Sequence, residues 1–486
     1  MKVLKKRFSV NDYAPLIEKA FSLNLSEQSY RVEDIEGNIP DFIRGTYYLN
    51  GPARFSRGGL RYRHWLDGDG MVCALRFDDE GVQFTNRFVK STKFVAEEEA
   101  GRPIFRTFAT AFESDQLKRG VALEPSVNVS VYPFIGTLLA FAEQGLPWEL
   151  DPVTLETRGE FNFGGRLNEI SPFSAHPKFD PVTGEMFNFG ISFSATRPTL
   201  NVYRFDNQAQ LLSRKRLRLD YPCSIHDFSL SPTYTVFYLS PYLLDMEMLM
   251  GTGRTLMDSL SWEPERGSQL RLVSRETGEE IASIPIGQKY CLHLINSFEK
   301  DDRLMVDVIE YDQPIYDEYQ VVPDLFTGVR EAQPVRFVVD MKSCELIERR
   351  TLDYHLAPDF PSVHSRQLTQ CYQDFWMLSM SAERRPGRKF FNQLVHVNWD
   401  ESTAYDIYQA GPMHYLGGEP VFINNPNKER SGIIICQVFD AEHTASAFAI
   451  FDAFDVADGP VATLRLRAPV HLGFHASFEP RSRSGN

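Results

Sequence analysis

The sequence predicts an all-β protein, and within that class a β-propeller. Three observations carry this. Helical periodicity is scarce beyond the N-terminus, and apolar runs alternate instead in the manner of half-buried strands. These runs end repeatedly at an acidic or polar turn and then resume. The turns recur at intervals of roughly 50–70 residues, the length of one propeller blade or of a β-solenoid repeat. At 486 residues, with 43% hydrophobic and 24% charged, the chain has ordinary globular composition. It can build a core, and disorder is excluded as its main state.

The elements follow in order. Within residues 1–28, Tyr13, Leu16, Ile17, Ala20 and Phe21 fall at helical spacing, with Ser9 or Asn11 available as N-cap and Asn24 ending the apolar stripe. This helix is expected to pack on the outside of the main body. Seven strand–turn–strand phrases come next: LRFDDEG at Asp78, WELDPVT at Asp151, VYRFDNQ at Asp206, RLVSRETGE at Arg275, RFVVDMK at Asp340, VHVNWDES at Asp400 and FAIFDAFD at Asp452. Each reads as a hairpin, because Asp, Asn, Gly and Ser supply turn geometry. Seven such turns suggest seven blades. DPVTGE at 180–185 is an eighth turn, out of step, and reads as an inner hairpin of one blade. No Pro-, Gly- or Ser-rich linker separates the phrases, so residues 1–486 are expected to form a single domain.

Charge and cysteine usage narrow the function classes. A formal net charge of −14 disfavours a nucleic-acid partner, which needs a basic footprint. Cys73, Cys223, Cys291, Cys344, Cys371 and Cys436 are scattered, with no C-x-x-C pair. That opposes a zinc knuckle or a disulfide scaffold and suits a reducing cytosol. The basic start MKVLKKRFSVNDY has no apolar stretch behind it, so no secretory signal is expected. No run is apolar and long enough to span a bilayer. The 37 Phe residues are plain core in the ordinary reading and line a cavity in the functional one.

Most of the 11 histidines carry no signature. His396 sits in a strand, and His64, His355, His364, His414 and His443 lie in mixed polar surroundings; a lone His is usually structural. Four differ: His176 in SPFSAHPKFD, His226 in CSIHDFSL, His293 in CLHLINSFE and His475 in LGFHASF. Each lies in or beside an apolar, strand-like run, and they recur near whole multiples of the blade period. Equivalent positions on different blades converge on a propeller axis, where four imidazoles would make a metal site. His471 in HLGFH imitates a helical H-x-x-x-H zinc motif, but Pro469 and Gly473 oppose a helix. In a strand His471 and His475 would stand about 13 Å apart, too far to share an ion. A divalent ion on neutral imidazoles calls for carboxylates accepting from the outer ring N–H groups. The ligand types alone leave Fe, Zn, Ni and Mn open.

The motifs VEDIEGNIP (32–40), GTYYLNGP (45–52), DGDGMV (67–72), SAHPKFDP (174–181), IHDF (225–228), HLINSFE (293–299), GGEP (417–420) and FHASF (474–478) stand in this order. From VEDIEGNIP to the C-terminus the chain resembles the carotenoid cleavage oxygenases, a family that includes apocarotenoid- and stilbene-cleaving enzymes. The resemblance implies a seven-bladed propeller with a dome of loops and helices over one face. It implies Fe(II) on His176, His226, His293 and His475, with carboxylates of Glu143, Asp359 and Glu419 behind the rings. Asp359 stands where the family usually has Glu. Being one methylene shorter, its contact to the ring is expected to be water-bridged or lost. Val129 in SVNVS falls where many relatives place Thr beside an open position on the iron. The implied chemistry is O2-dependent oxidative cleavage of a C=C bond to two carbonyl products.

Stilbene-type relatives carry a Lys just before the first of these carboxylates and a Tyr in an earlier loop. Here those places hold Ala142 and Phe108. Loss of both polar handles favours a long apolar carotenoid or apocarotenoid in a Phe-lined tunnel. Phenylpropanoid cleavage on the same fold and a non-catalytic, protein-binding propeller are the alternatives. The stretch 241–262 places Leu243, Leu244, Met246, Met248, Leu249, Met250 and Met257 together. Its ordinary reading is a covering loop with Met as gap-filler. Its functional reading is an apolar patch that dips into lipid. The expected setting is cytoplasmic, peripheral on the inner membrane face.

Overall fold

A computed structural model describes residues 15–194, 197–321, 329–382, 390–400 and 405–481. Seven antiparallel sheets of four or five strands form the blades of a propeller, accompanied by two small two-stranded sheets. Within a blade, strands follow one another outward in chain order. The third blade is typical: Lys178–Phe179, Met186–Ser192, Thr199–Phe205 and Leu211–Arg218. Burial grades along it. Met186–Ser192 is buried over most of its length, whereas Leu211–Arg218 is half-buried and exposed in alternation. Inner strands are packed on both faces and read as continuous apolar runs; outer strands show one face to water.

All seven turn phrases join the third strand of a blade to its fourth. In the Asp400 turn, residues 401–404 lie outside the described residues. The Asp180 turn joins first to second strand, the inner hairpin expected. The chemistry that marks these turns is local. Asp206 Oδ1 accepts from the Gln208 and Gln210 N–H groups at 2.8 Å each, and Asp340 Oδ1 from those of Lys342 and Ser343 at 2.9 Å.

Both chain ends lock the ring. Ala476–Pro480 pairs with Gly45–Arg54 as the innermost strand of the first blade. Ile35–Gly37 adds an outer strand to Pro460–Arg465 of the last blade, and Gln28–Arg31 adds one to Gly81–Phe88 of the first. Edges that would template pairing are thereby reduced. Alternating strand direction puts the second-to-third connections at the blade ends from which the first strands start. The long connection 240–267 and the described parts of the next, 312–321 and 329–331, are of this kind, so they stack over one face as a dome.

The N-terminal segment departs from expectation. Pro15–Phe21 is a 3-10 helix, and Ile17, Ala20 and Phe21 are buried in the largest apolar cluster. Phe21 meets Phe55, Trp65 and Phe390 edge-on at centroid distances of 5.3, 6.1 and 6.3 Å. It plugs the dome instead of resting outside it, because its aromatic residue finds partners in the dome connections. Ser9, Asn11 and Tyr13 lie outside the described residues.

The six cysteines are free thiols. Among the described residues no helix is long and apolar enough to cross a membrane. Gly70 of the DGDG motif permits a close approach. Its N–H donates to the Ser126 carbonyl at 2.8 Å, and a Cβ there would stand 1.9 Å from the Val127 carbonyl oxygen. That contact seats residues 126–129 against the hub.

Candidate metal centre

Three of the four singled-out histidines lie just before the first strand of a blade. His176 precedes Lys178–Phe179, His226 precedes Ser229–Leu230 and His475 directly precedes Ala476–Pro480. His293 lies within Tyr290–Lys300, where the pairing register shifts between Cys291 and Leu294 and again before Asn296. A bulge re-aims side chains locally, and here it turns the ring to the hub. The four rings are buried, and one nitrogen of each lies within 4.8 Å of the others.

Three rings are fixed from behind by carboxylates. His226 Nδ1 donates to Glu143 Oε1 at 2.9 Å, His293 Nδ1 to Asp359 Oδ1 at 2.6 Å, and His475 Nδ1 to Glu419 Oε2 at 3.1 Å. An N–H committed outward leaves Nε2 with its lone pair facing inward, the form in which imidazole ligates metal. For His176 the nearest carboxylate oxygen is Asp227 Oδ1 at 3.9 Å, which is itself 2.7 Å from Lys178 Nζ.

The inward atoms test whether a metal fits. His293 Nε2 is buried with no hydrogen-bond partner. His176 Nε2 stands 2.9 Å from His226 Nε2. Since His226 commits its proton to Glu143, its Nε2 offers a lone pair at this distance, either to a proton on His176 Nε2 or to a cation held between the two nitrogens. Burial holds His176 well below the ordinary histidine range, with repulsion from the neighbouring rings adding to it. Burial likewise brings His475 down to about 4 against the opposing bond to Glu419. For His293 burial also acts downward, but the charge and hydrogen bond of Asp359 outweigh it and raise the pKa. Asp359 is correspondingly lowered: burial opposes ionisation, while His293, the Phe360 N–H and the Tyr319 hydroxyl favour it. Buried imidazoles, three of them backed by carboxylates, suit a divalent ion.

A family model described as retinal pigment epithelial membrane protein matches residues 21–480. The apocarotenoid-15,15'-oxygenase of Synechocystis is 30% identical over 93% of this chain and 94% of its own. The chain belongs to the carotenoid cleavage oxygenase family. Isoeugenol monooxygenase of Pseudomonas nitroreducens is 28% identical over 92% of this chain and 94% of its own. The solved structure of a cobalt-substituted Synechocystis apocarotenoid oxygenase superposes with a TM-score of 0.86 at 28% identity, covering 97% of this chain and 100% of that one.

One expectation for this carotenoid cleavage oxygenase is corrected at Asp359. The short carboxylate keeps a direct 2.6 Å contact to its ring. The backbone makes up the missing methylene. Asp359 begins the strand Asp359–Ser362, whose pairing slips, and Phe360 adopts a left-handed φ of 51°. Asp359 Oδ1 also accepts from the Phe360 N–H at 2.8 Å.

The other expected residues fall as follows. Val129 is buried; its carbonyl accepts from the His475 N–H at 3.2 Å, which ties it to the centre through the backbone. Ala142 is buried next to Glu143. The Phe108 ring lies 5.1 Å from that of Tyr316, which lies 6.5 Å from that of His226. His471 is buried outside the quartet, and the segment 471–475 is not a strand.

In the Met-rich stretch, Leu243, Leu244 and Leu249 are buried, contrary to the lipid-facing reading. Leu243 and Leu244 pair with Leu260–Trp262 under the dome, and Leu249 is the inner side of the single-turn helix Met246–Met250. Met246 and Met257 are partly buried against the core. Met248 and Met250 are exposed.

Sequence reasoning missed the 3-10 turn Tyr316–Tyr319 and the residue that anchors it. His64, fully buried, accepts the Leu66 N–H on Nδ1 at 3.0 Å and meets the Tyr316 carbonyl through Nε2 at 2.7 Å. The Tyr316 hydroxyl lies 3.5 Å from His226 Nδ1, and that of Tyr319 donates to Asp359 Oδ2 at 3.0 Å. The pair Tyr-x-x-Tyr at one-turn spacing, in a dome connection, is the only signal the sequence offers for it.

Proposed function

We propose that His176, His226, His293 and His475 hold Fe(II), and that the protein uses O2 to cleave a C=C bond of a carotenoid or apocarotenoid to two carbonyl products. The observation that carries this is the convergence of four buried imidazoles, three of them fixed by carboxylates, at the hub of a carotenoid cleavage oxygenase fold. When bound, the iron supplies the activation of O2, which no side chain of this chain can supply.

The chain's own part is positioning and exclusion of water. Glu143, Asp359 and Glu419 set which ring nitrogen faces inward. Phe360 covers the rings of His293 and His475 at 5.4 and 5.2 Å, and Trp65 packs on Phe474 at 4.3 Å just before His475. Such an aromatic surround favours a polyene and penalises a hydroxyl that finds no partner. The absence of polar groups at Phe108 and Ala142 supports the same substrate class.

A phenylpropanoid is the second reading. It is supported by the 28% identity, over 92% of this chain, to an isoeugenol monooxygenase. One assay separates the two. Purified protein reconstituted with Fe(II) is incubated with an apocarotenal and with a 4-hydroxystilbene, under O2 and under argon, and aldehydes are read by mass. O2-dependent cleavage of the apocarotenal is expected; cleavage of the stilbene alone overturns the polyene reading.

A further inference from the structure

We propose that Tyr319 is a positioning residue for the metal centre: its phenol braces the shortened carboxylate of Asp359 against His293. The inference rests on the metal reading of the quartet given above.

The three carboxylates are not held alike. The side chains of Glu143 and Glu419 are 29% and 21% exposed, whereas that of Asp359 is 2% exposed. A long, partly wet glutamate can adjust to its ring; a buried aspartate has one torsion fewer and no water to correct it. Asp359 is fixed from several sides instead. Its Oδ1 accepts from His293 Nδ1 at 2.6 Å and the Phe360 N–H at 2.8 Å, and its Oδ2 accepts from the Tyr319 hydroxyl at 3.0 Å. The peptide before it is fixed too, since the Tyr311 hydroxyl donates to the Pro358 carbonyl at 3.1 Å.

Without the Tyr319 donor, Oδ2 would be left with the Tyr311 phenol, which also lies against Asp359 but gives its hydroxyl proton to the Pro358 carbonyl, and rotation to find a full donor would pull Oδ1 from the ring. The turn that carries Tyr319 is held by His64 at Tyr316 and by Trp65, whose ring meets that of Tyr319 edge-on at 5.6 Å. The Tyr319 phenol is raised well above the ordinary tyrosine range by burial and by Asp359, so it stays a donor. A chain with Asp in this place therefore needs an inflexible neighbour to finish the contact.

The test is a double-mutant cycle on the full chain loaded with Co(II), a probe whose spectrum reports its ligand field. The variants are Tyr319→Phe, Asp359→Asn and the double variant. The readouts are release of cobalt to excess chelator and the visible absorption spectrum, with thermal unfolding of each metal-free protein alongside. Tyr319→Phe keeps its ring on Trp65 and is expected to fold. It should release cobalt about tenfold faster and shift the spectrum. The double variant should release it no faster than Asp359→Asn alone, because Tyr319 acts through that carboxylate.

Wild-type release from Tyr319→Phe, additive losses in the double variant, or loss of the fold in Tyr319→Phe each overturn the proposal and leave the metal site standing. Cobalt held equally well by wild type and His293→Ala overturns both.

Discussion

At the residue scale, the centre depends on which proton each imidazole keeps. Glu143, Asp359 and Glu419 draw the Nδ1–H of three rings outward. Burial disfavours protonation of His176 and His475, whereas at His293 the charge of Asp359 outweighs it. His471 serves as the internal control. It is as buried as the quartet, its pKa is pulled down to about 3 by burial, and it holds no place in the cluster. A ring neutral when folded but protonated near 6.5 when unfolded contributes stability that is fully present above that value. The contribution falls as pH drops toward the folded pKa. The unfolding free energy of the metal-free protein should therefore decline from pH 6.5 to 4, with about 1.4 kcal/mol per pH unit from this ring. Denaturant unfolding of His471→Leu across that range should show a shallower decline; an identical slope contradicts the assignment. Little of this was legible beforehand. His64 carries no motif, yet its two ring nitrogens join dome segments distant in sequence.

At the element scale, what the sequence revealed was whatever is local. The turn aspartates were legible because their carboxylates bind N–H groups two to four residues on, a contact the sequence itself brings together. The innermost strands of the third and fourth blades were not, since Lys178–Phe179 and Ser229–Leu230 are two residues long and have no period to read. The N-terminal segment shows the opposite failure. Its apolar spacing was visible, but its partners Phe55, Trp65 and Phe390 come from the dome, which has no repeat. Phe21 is 1% exposed, so Phe21→Ala should destabilise the protein by about 3–5 kcal/mol, the loss typical of a fully buried ring. A loss below about 1 kcal/mol in chemical denaturation would restore the outside placement.

At the scale of the whole molecule, closing the ring of blades also assembles the histidine quartet. The last strand, Ala476–Pro480, completes the first blade and delivers His475 to the hub beside rings from the third, fourth and fifth blades. Residues 299 positions apart in sequence, His176 and His475, thus meet with ring centroids 4.4 Å apart. The near-multiple spacing of the histidines made this legible, because a rotational repeat maps sequence period onto the axis. The identity of the substrate was not legible, because the dome that surrounds the centre is built from connections without period. The most direct measurement is anaerobic Fe(II) titration of the wild type and of His176→Ala, His226→Ala, His293→Ala and His475→Ala, with His471→Leu as control. One tightly held iron per chain is predicted for the wild type and the control, and its loss in all four alanine variants. Undiminished iron in any of those four would contradict the shared site.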